Sequence, residues 1–262
     1  MAYAFCHMTA AVLTLALVLS AAAILWLVSL CLRDSSIVDI FWAPGFALVA
    51  WAAVGTAPAI AGRAWLVLGL VGIWSVRLAL HILLRHRGED RRYAAMRAKA
   101  GARWWWQSLF QVFLLQAALI WIISAPLQVA VAAHAPLGLL DLAGAILAAA
   151  GLAIEALADL QLTRFRALQA NSGKVMDQGL WAWSRHPNYF GDALLWWGFF
   201  LIGFGATPLW WLLVSPVVMT ILLLRVSGVS LLEDSIAERR PAYAAYIRRT
   251  SAFIPWPPKP QA

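Results

Sequence analysis

Apolar runs separated by short polar breaks cover almost the whole chain. A helix crossing the hydrocarbon core of a bilayer needs roughly 20 predominantly apolar residues. Seven runs answer to that pattern: residues 4–32, 37–54, 64–84, 109–131, 137–160, 189–204 and 208–231. The sixth is short and begins inside a polar motif. The pattern predicts an all-α, polytopic membrane bundle of seven transmembrane helices. It forms one domain over residues 1–262, with a cytoplasmic tail from 233. The first run lacks a basic leader and extends to Leu32, too far for a signal peptide, so it reads as the first span. No internal repeat is evident, which argues against an inverted-repeat transporter.

Charge sets the expected orientation. Basic residues concentrate in the loop from Arg85 to Arg103, in the loop carrying Arg164, Arg166, Lys174 and Arg185, and in the tail carrying Arg239, Arg240, Arg248, Arg249 and Lys259. The loops near His134 and Gly205 carry none. The positive-inside rule then places the N-terminus outside and the C-terminus in the cytoplasm, with Arg63 as a minor exception. Composition agrees with a membrane protein: 63% of the 262 residues are hydrophobic, 12% are charged and mean hydropathy is +0.76, whereas soluble domains carry about 25% charged residues. A net charge of +8 would suggest a nucleic-acid partner in a soluble protein. Here the loops absorb most of it, and no nucleic acid or required protein partner is expected. Membrane lipid is. Cys6 and Cys31 sit at opposite ends of the first run, too far apart on one helix to pair, and no metal site is implied. Trp104, Trp105 and Trp106 read as an interfacial anchor.

Buried ionisable groups in a span are expensive and mark candidate sites. The densest cluster is LWAWSRHPNYFGD, with Arg185, His186, Asn188, Tyr189 and Asp192 at the mouth of the sixth run. In the fifth run Glu155 and Asp159 lie four apart, and Thr163 and Arg166 continue the same helical face. That face is either an internal ion-pair ladder, Asp159 with Arg166 or Arg85, or a grip for a polar ligand. In the third run Trp74, Arg77, His81 and Arg85 share a face. Arg77 lies deep and always charged, so it needs an acid or an anion, and Asp39 of the second run is a plausible neighbour. Arg225 lies embedded in the last run, with Glu233 opening a tail that carries Tyr243 and Tyr246. These groups are expected to converge on one cytoplasmic cavity that favours an anionic ligand. No glycine-rich phosphate loop is present, so side chains would have to hold a nucleotide.

SRHPNYFGD, preceded by GKVMDQGLWAW, resembles the signature of the DUF1295 group, relatives of the steroid 5-alpha-reductases. The resemblance continues through SSIVDIFWAPGF, RGEDRRYAAMR, EALADLQLTRFR and a tail ending RRTSAFIPWPP, and so spans nearly the whole chain. It implies a seven-span enzyme of lipid and steroid metabolism, in the inner membrane of a bacterium. The enzyme would use NADPH to reduce the carbon–carbon double bond of an α,β-unsaturated ketone lipid such as a 3-oxo-Δ4 steroid. It also implies a cofactor site of Arg77, Glu155, Asp159, Arg166, Asn188, Asp192 and Arg225, to which the reading of the polar residues adds Lys174, Arg185, His186, Tyr189, Glu233, Tyr243 and Tyr246. The acid and the tyrosine at the substrate carbonyl in that family correspond here to Asp39 and Trp74. Asp39 in its neutral form would stabilise the enolate oxygen as charge builds there. The rival readings are an S-adenosylmethionine-dependent lipid methyltransferase, which needs less positive charge because that cofactor has no phosphates, and a non-enzymatic lipid or anion transporter.

Overall fold

A computed structural model describes residues 2–55, 60–226 and 242–259, with side chains from residue 9 onward except those of Val226 and Ala242. Among these residues the chain is helical, with one isolated bridge between Ser184 and Ser251. The helices are α1 (Ala2–Leu32), α2 (Ile37–Val54), α3 (Gly62–Arg85), α4 (Arg91–Ala100), α5 (104–123), α6 (Ala125–Ala132), α7 (Leu139–Ala167), α8 (Leu180–Trp183), α9 (Pro187–Ala206), α10 (Trp210–Arg225) and α11 (Ala242–Arg249). Six helical stretches are long and apolar enough to cross a membrane: α1, α2, α3, the stretch Arg91–Ile123, α7 and α9. The protein is an integral, multi-pass membrane protein. The seventh expected span appears as α10, a shorter apolar helix, and residues 227–231 of that run lie outside the described residues. The expected fourth span, 109–131, breaks at Ser124, where the chain bends into α6 with Pro126 in its first turn. Proline lacks the donor that an unbroken helix would need there.

The chain separates into two compact units. The first comprises Met1–Asp141 with Ile202–Leu212, and the second Leu142–Leu201 with Leu213–Ala262.

In the first unit α2 packs along α3, and α1 packs on α2 and α5. Gly45 admits the side chain of Ile120, because a Cβ there would stand 2.7 Å from Ile120 Cδ1. The buried core includes Phe46, Val49, Val67, Val71, Trp74, Phe113 and Ile120. Near the start of α3, Arg63 is 1% exposed and forks onto Asp141, Nε to Oδ1 at 2.6 Å and Nη2 to Oδ2 at 2.7 Å. Its remaining donors reach the carbonyls of Ala135 and Pro136. The residue that stood out against the charge pattern is therefore neutralised by a buried acid. It is not an exposed loop cation, so it carries no weight in the orientation argument.

In the second unit α7 and α9 meet backbone to backbone. A Cβ on Gly151 would lie 2.5 Å from the Gly191 carbonyl and from the Leu195 nitrogen, and one on Gly198 would lie 2.6 Å from Ala148 N. Small residues at such crossings let membrane helices approach closely.

Candidate functional site

Two polar clusters stand out, one in each unit.

The first is built on the turn between α1 and α2. Asp34 caps that turn by accepting the Ser36 N–H and hydroxyl. His86 Nε2 lies 2.8 Å from Asp34 Oδ2. Glu89 accepts the Ser35 N–H at 2.9 Å and both arms of Arg97, while Trp104 Nε1 donates to the Ser35 hydroxyl. Asp90 N donates to the Ser36 hydroxyl, and the Asp90 carboxylate accepts the Arg92 N–H at the start of α4. The segments SSIVDIF and RGEDRRY, far apart in sequence, are thus stitched together. The stitching also moves Glu89. Burial pushes its carboxyl up, but the Arg97 hydrogen bonds, the Ser35 N–H and the Arg97 charge outweigh it and hold the carboxyl below its ordinary range.

In the first turn of α2, Asp39 extends this network. Its Oδ1 accepts the Tyr93 hydroxyl at 2.7 Å and the Gln116 amide at 3.4 Å, and its Oδ2 accepts Arg92 at 3.0 Å. The Gln116 amide also donates to the Tyr93 oxygen at 3.2 Å. Tyr93 is buried, and Gln116 Oε1 is buried without a hydrogen-bond partner. Asp39 therefore belongs to a carboxylate–phenol–amide cluster and is bound by Arg92 where Arg77 was expected. Arg77 is half-buried on α3. Trp74, expected at the substrate carbonyl, is fully buried and packs on Phe46 at 5.8 Å between ring centres. Trp74 is thus part of the core packing around α2 and α3, and Tyr93 is the aromatic hydroxyl that accompanies Asp39. RGEDRRY was legible as a motif, but the pairing of Tyr93 with α2 is a long-range contact with no signal in spacing.

The second cluster lies where α7, α8, α9 and the tail meet. Glu155 and Asp159 are buried on α7, and Asp192 is buried one turn into α9. Asn188 Nδ2 donates to Asp159 Oδ1 at 3.1 Å, while Asn188 Oδ1 is buried with no partner. Gly191 brings α9 onto the backbone of Glu155, a Cβ there falling 2.6 Å from Glu155 N. The structure thus brings together Asn188, Asp159, Asp192 and Glu155. Arg166, Lys174 and Arg225 are exposed, Arg225 having been expected to be embedded. Glu233 lies outside the described residues.

Much of the signature segment holds the tail. The Arg185 guanidinium, expected to meet phosphate, is buried and donates to the carbonyls of Ile247 and Thr250 at the end of α11. Its backbone N–H donates to Ser251 at 2.8 Å, and the Ser184 hydroxyl donates to the Phe253 carbonyl. Cationic donors suit carbonyls left open at a helix C-terminus. The Tyr246 hydroxyl donates to the carbonyls of Trp181 and Ser184, and Tyr243 packs against its ring at 5.6 Å. Burial raises the Tyr246 phenol far above its ordinary pKa, so it stays neutral. Arg249 pairs with Asp177. His186 is buried, its ring stacked on Tyr189 at 5.5 Å and its N–H bonded to the Ser184 hydroxyl. Arg185 and Tyr246, expected as ligand contacts, thus hold the tail in the structure.

Residues 25–250 match the family model described as a protein of unknown function, DUF1295. The chain belongs to the DUF1295 family. The match includes both clusters and every quoted motif except the end of the tail. No curated protein and no solved structure matches the chain. Within this DUF1295 protein, no group of three or more potential metal ligands occurs among the described residues.

Proposed function

We propose that this DUF1295 protein is an NADPH-dependent reductase that saturates the carbon–carbon double bond of an α,β-unsaturated ketone lipid, a 3-oxo-Δ4 steroid being the model substrate. The observation that carries the reading is the Asp39–Tyr93–Gln116 cluster formed between α2, α4 and α5. An acid, a phenol and an amide bonded to one another, with the phenol buried, are costly without a task, and their chemistry suits an enone carbonyl. NADPH, when bound, would supply the hydride to the β-carbon, and a proton taken up from solvent would complete the α-carbon.

The chain's own residues do the rest. Tyr93 O–H turns from Asp39 to the ketone oxygen and stabilises the enolate as charge builds there. Asp39 positions the phenol before the substrate binds, and Gln116 Nε2 keeps its bond to the phenol oxygen when the O–H turns. Arg92 keeps the carboxylate compensated. In the second unit, Asn188 Oδ1 fits the cofactor: it is a buried acceptor without a partner, suited to a carboxamide N–H, and Asp159 fixes the orientation of its amide. Arg166 and Lys174, both exposed in that unit, would meet its phosphates. The apolar surroundings exclude water from the hydride.

Thermal unfolding of the purified protein in detergent separates the rival cofactors. A ligand at 100 times its dissociation constant adds about 2.7 kcal/mol of stability. NADPH is expected to raise the unfolding temperature and S-adenosylmethionine to leave it unchanged. Asn188→Ala should weaken the NADPH shift. Stabilisation by S-adenosylmethionine alone would replace the reductase with a methyltransferase.

A further inference from the structure

Helix α4 stops at Gly101, whose φ of +57° and ψ of −133° turn the chain sharply before α5 begins. A left-handed φ favours glycine, and this one forms an elbow. A cavity of about 370 Å³ sits at the elbow, lined by Met96, Lys99 and Ala100 from α4 and by Arg103, Gln107 and Gln111 from the following turns. All six residues lie in the first unit.

The charges along this segment are not equivalent. Arg92 is paired with Asp39 and Asp90, and Arg97 with Glu89. Lys99 and Arg103, both exposed, meet no carboxylate among the described residues. These two uncompensated cations are the ones that face the cavity. Arg103, Gln107 and Gln111 recur every four residues through a 3₁₀ turn, an α-helical turn and a π-helical stretch, and all three face the cavity. Gln111 lies about two helical turns beyond Arg103 along the segment. Exposed Trp105, Trp106 and Phe110 flank that row, and indole rings mark the headgroup level of a bilayer. Below it Leu115 is exposed.

We propose that this elbow is a binding site for one anionic phospholipid of the surrounding membrane. The order of groups with depth matches the order of groups in the lipid. Lys99 and Arg103 take the phosphate, the Gln107 and Gln111 amides donate to the ester carbonyls below it, and an acyl chain follows α5 past Leu115. Charge complementarity selects an anionic headgroup over a zwitterionic one, because a neutral headgroup brings its own cation to two cations already there. The proposal is independent of the reductase reading, and none of the four polar residues belongs to either cluster described above.

The test uses the full chain purified in detergent, with native mass spectrometry counting bound lipid and thermal unfolding reporting its effect. Added phosphatidylglycerol should bind as a single retained copy and raise the unfolding temperature, and phosphatidylcholine should not. Each cation near an anionic lipid surface is worth roughly fivefold in affinity, so Lys99→Gln with Arg103→Gln should weaken binding about thirtyfold. Arg91→Glu, an exposed cation outside the cavity, should leave binding unchanged. Gln107→Leu with Gln111→Leu should weaken phosphatidylglycerol binding but leave competition by inorganic phosphate unaltered. If the glutamine variants do not fold, Lys99→Gln alone supplies the reading at about fivefold. Equal binding of the two lipids, an equal loss in Arg91→Glu, or full displacement of the lipid by equimolar inorganic phosphate would each overturn the proposal.

Discussion

Gly151→Ala puts the α7–α9 crossing to the test. The added Cβ would stand 2.5 Å from the Gly191 carbonyl and the Leu195 nitrogen, both of them backbone atoms that no rotamer change can move aside. Ordinary contact begins near 3.4 Å, so the helices must part by about 1 Å. Overpacking of this kind costs about 1–3 kcal/mol. The same movement acts on function, because Asn188 on α9 bonds Asp159 on α7 at 3.1 Å and that bond has little slack. Gly69→Ala is the matched control. Gly69 lies on α3, and a methyl added there would meet nothing within 4 Å, so replacing this helical glycine should gain up to about 1 kcal/mol. Thermal unfolding in one detergent, with and without NADPH, reads both effects. Gly151→Ala should melt earlier and show a smaller NADPH shift, while Gly69→Ala should melt at or above the parent. Equal behaviour of the two variants would refute the close crossing.

Three further outcomes follow from the geometry. Arg63→Ala leaves Asp141 buried without its fork and should cost about 3–5 kcal/mol, whereas Arg63→Met with Asp141→Leu should restore most of that in the same unfolding assay. Glu89, held below its ordinary pKa, contributes stability that is present above its unfolded pKa and lost as the pH falls through its folded one. Unfolding followed from neutral to acidic pH should therefore show an acid loss that is smaller in Glu89→Gln, and an unchanged slope would refute the Arg97 pairing. Tyr93→Phe should lower turnover of an enone about 10²–10³-fold while leaving the NADPH-induced shift intact.

The spans were legible because each is a local property. Long apolar runs gave α2 at its observed bounds and α3 and α9 within two residues at each end, since hydropathy needs no partner, whereas α7 continues past the apolar run to Ala167. The break at Ser124 was missed because the apolar run continues through Pro126. The pairings were not legible. Nothing near Arg63 in sequence announces Asp141, and nothing near Asp39 announces Tyr93 or Gln116, because those bonds arise only when separate helices meet. Asn188 and Asp159 were singled out on different helices, and the structure bonds them directly. Arg185 illustrates the opposite failure. An arginine in a polar motif suggests phosphate, yet the nearest unmet need is the open end of α11, and the tail that closes on it is remote in sequence.

Turnover is the most direct measure of the central claim. The purified protein in detergent or nanodiscs is mixed with NADPH and progesterone, and steroid mass and cofactor oxidation are followed together. The account predicts one NADPH consumed per steroid that gains two hydrogens at its double bond, with Tyr93→Phe and Asn188→Ala both impaired. A product that gains a methyl group from S-adenosylmethionine, or no NADPH oxidation with any enone lipid while the folded protein persists, would contradict it.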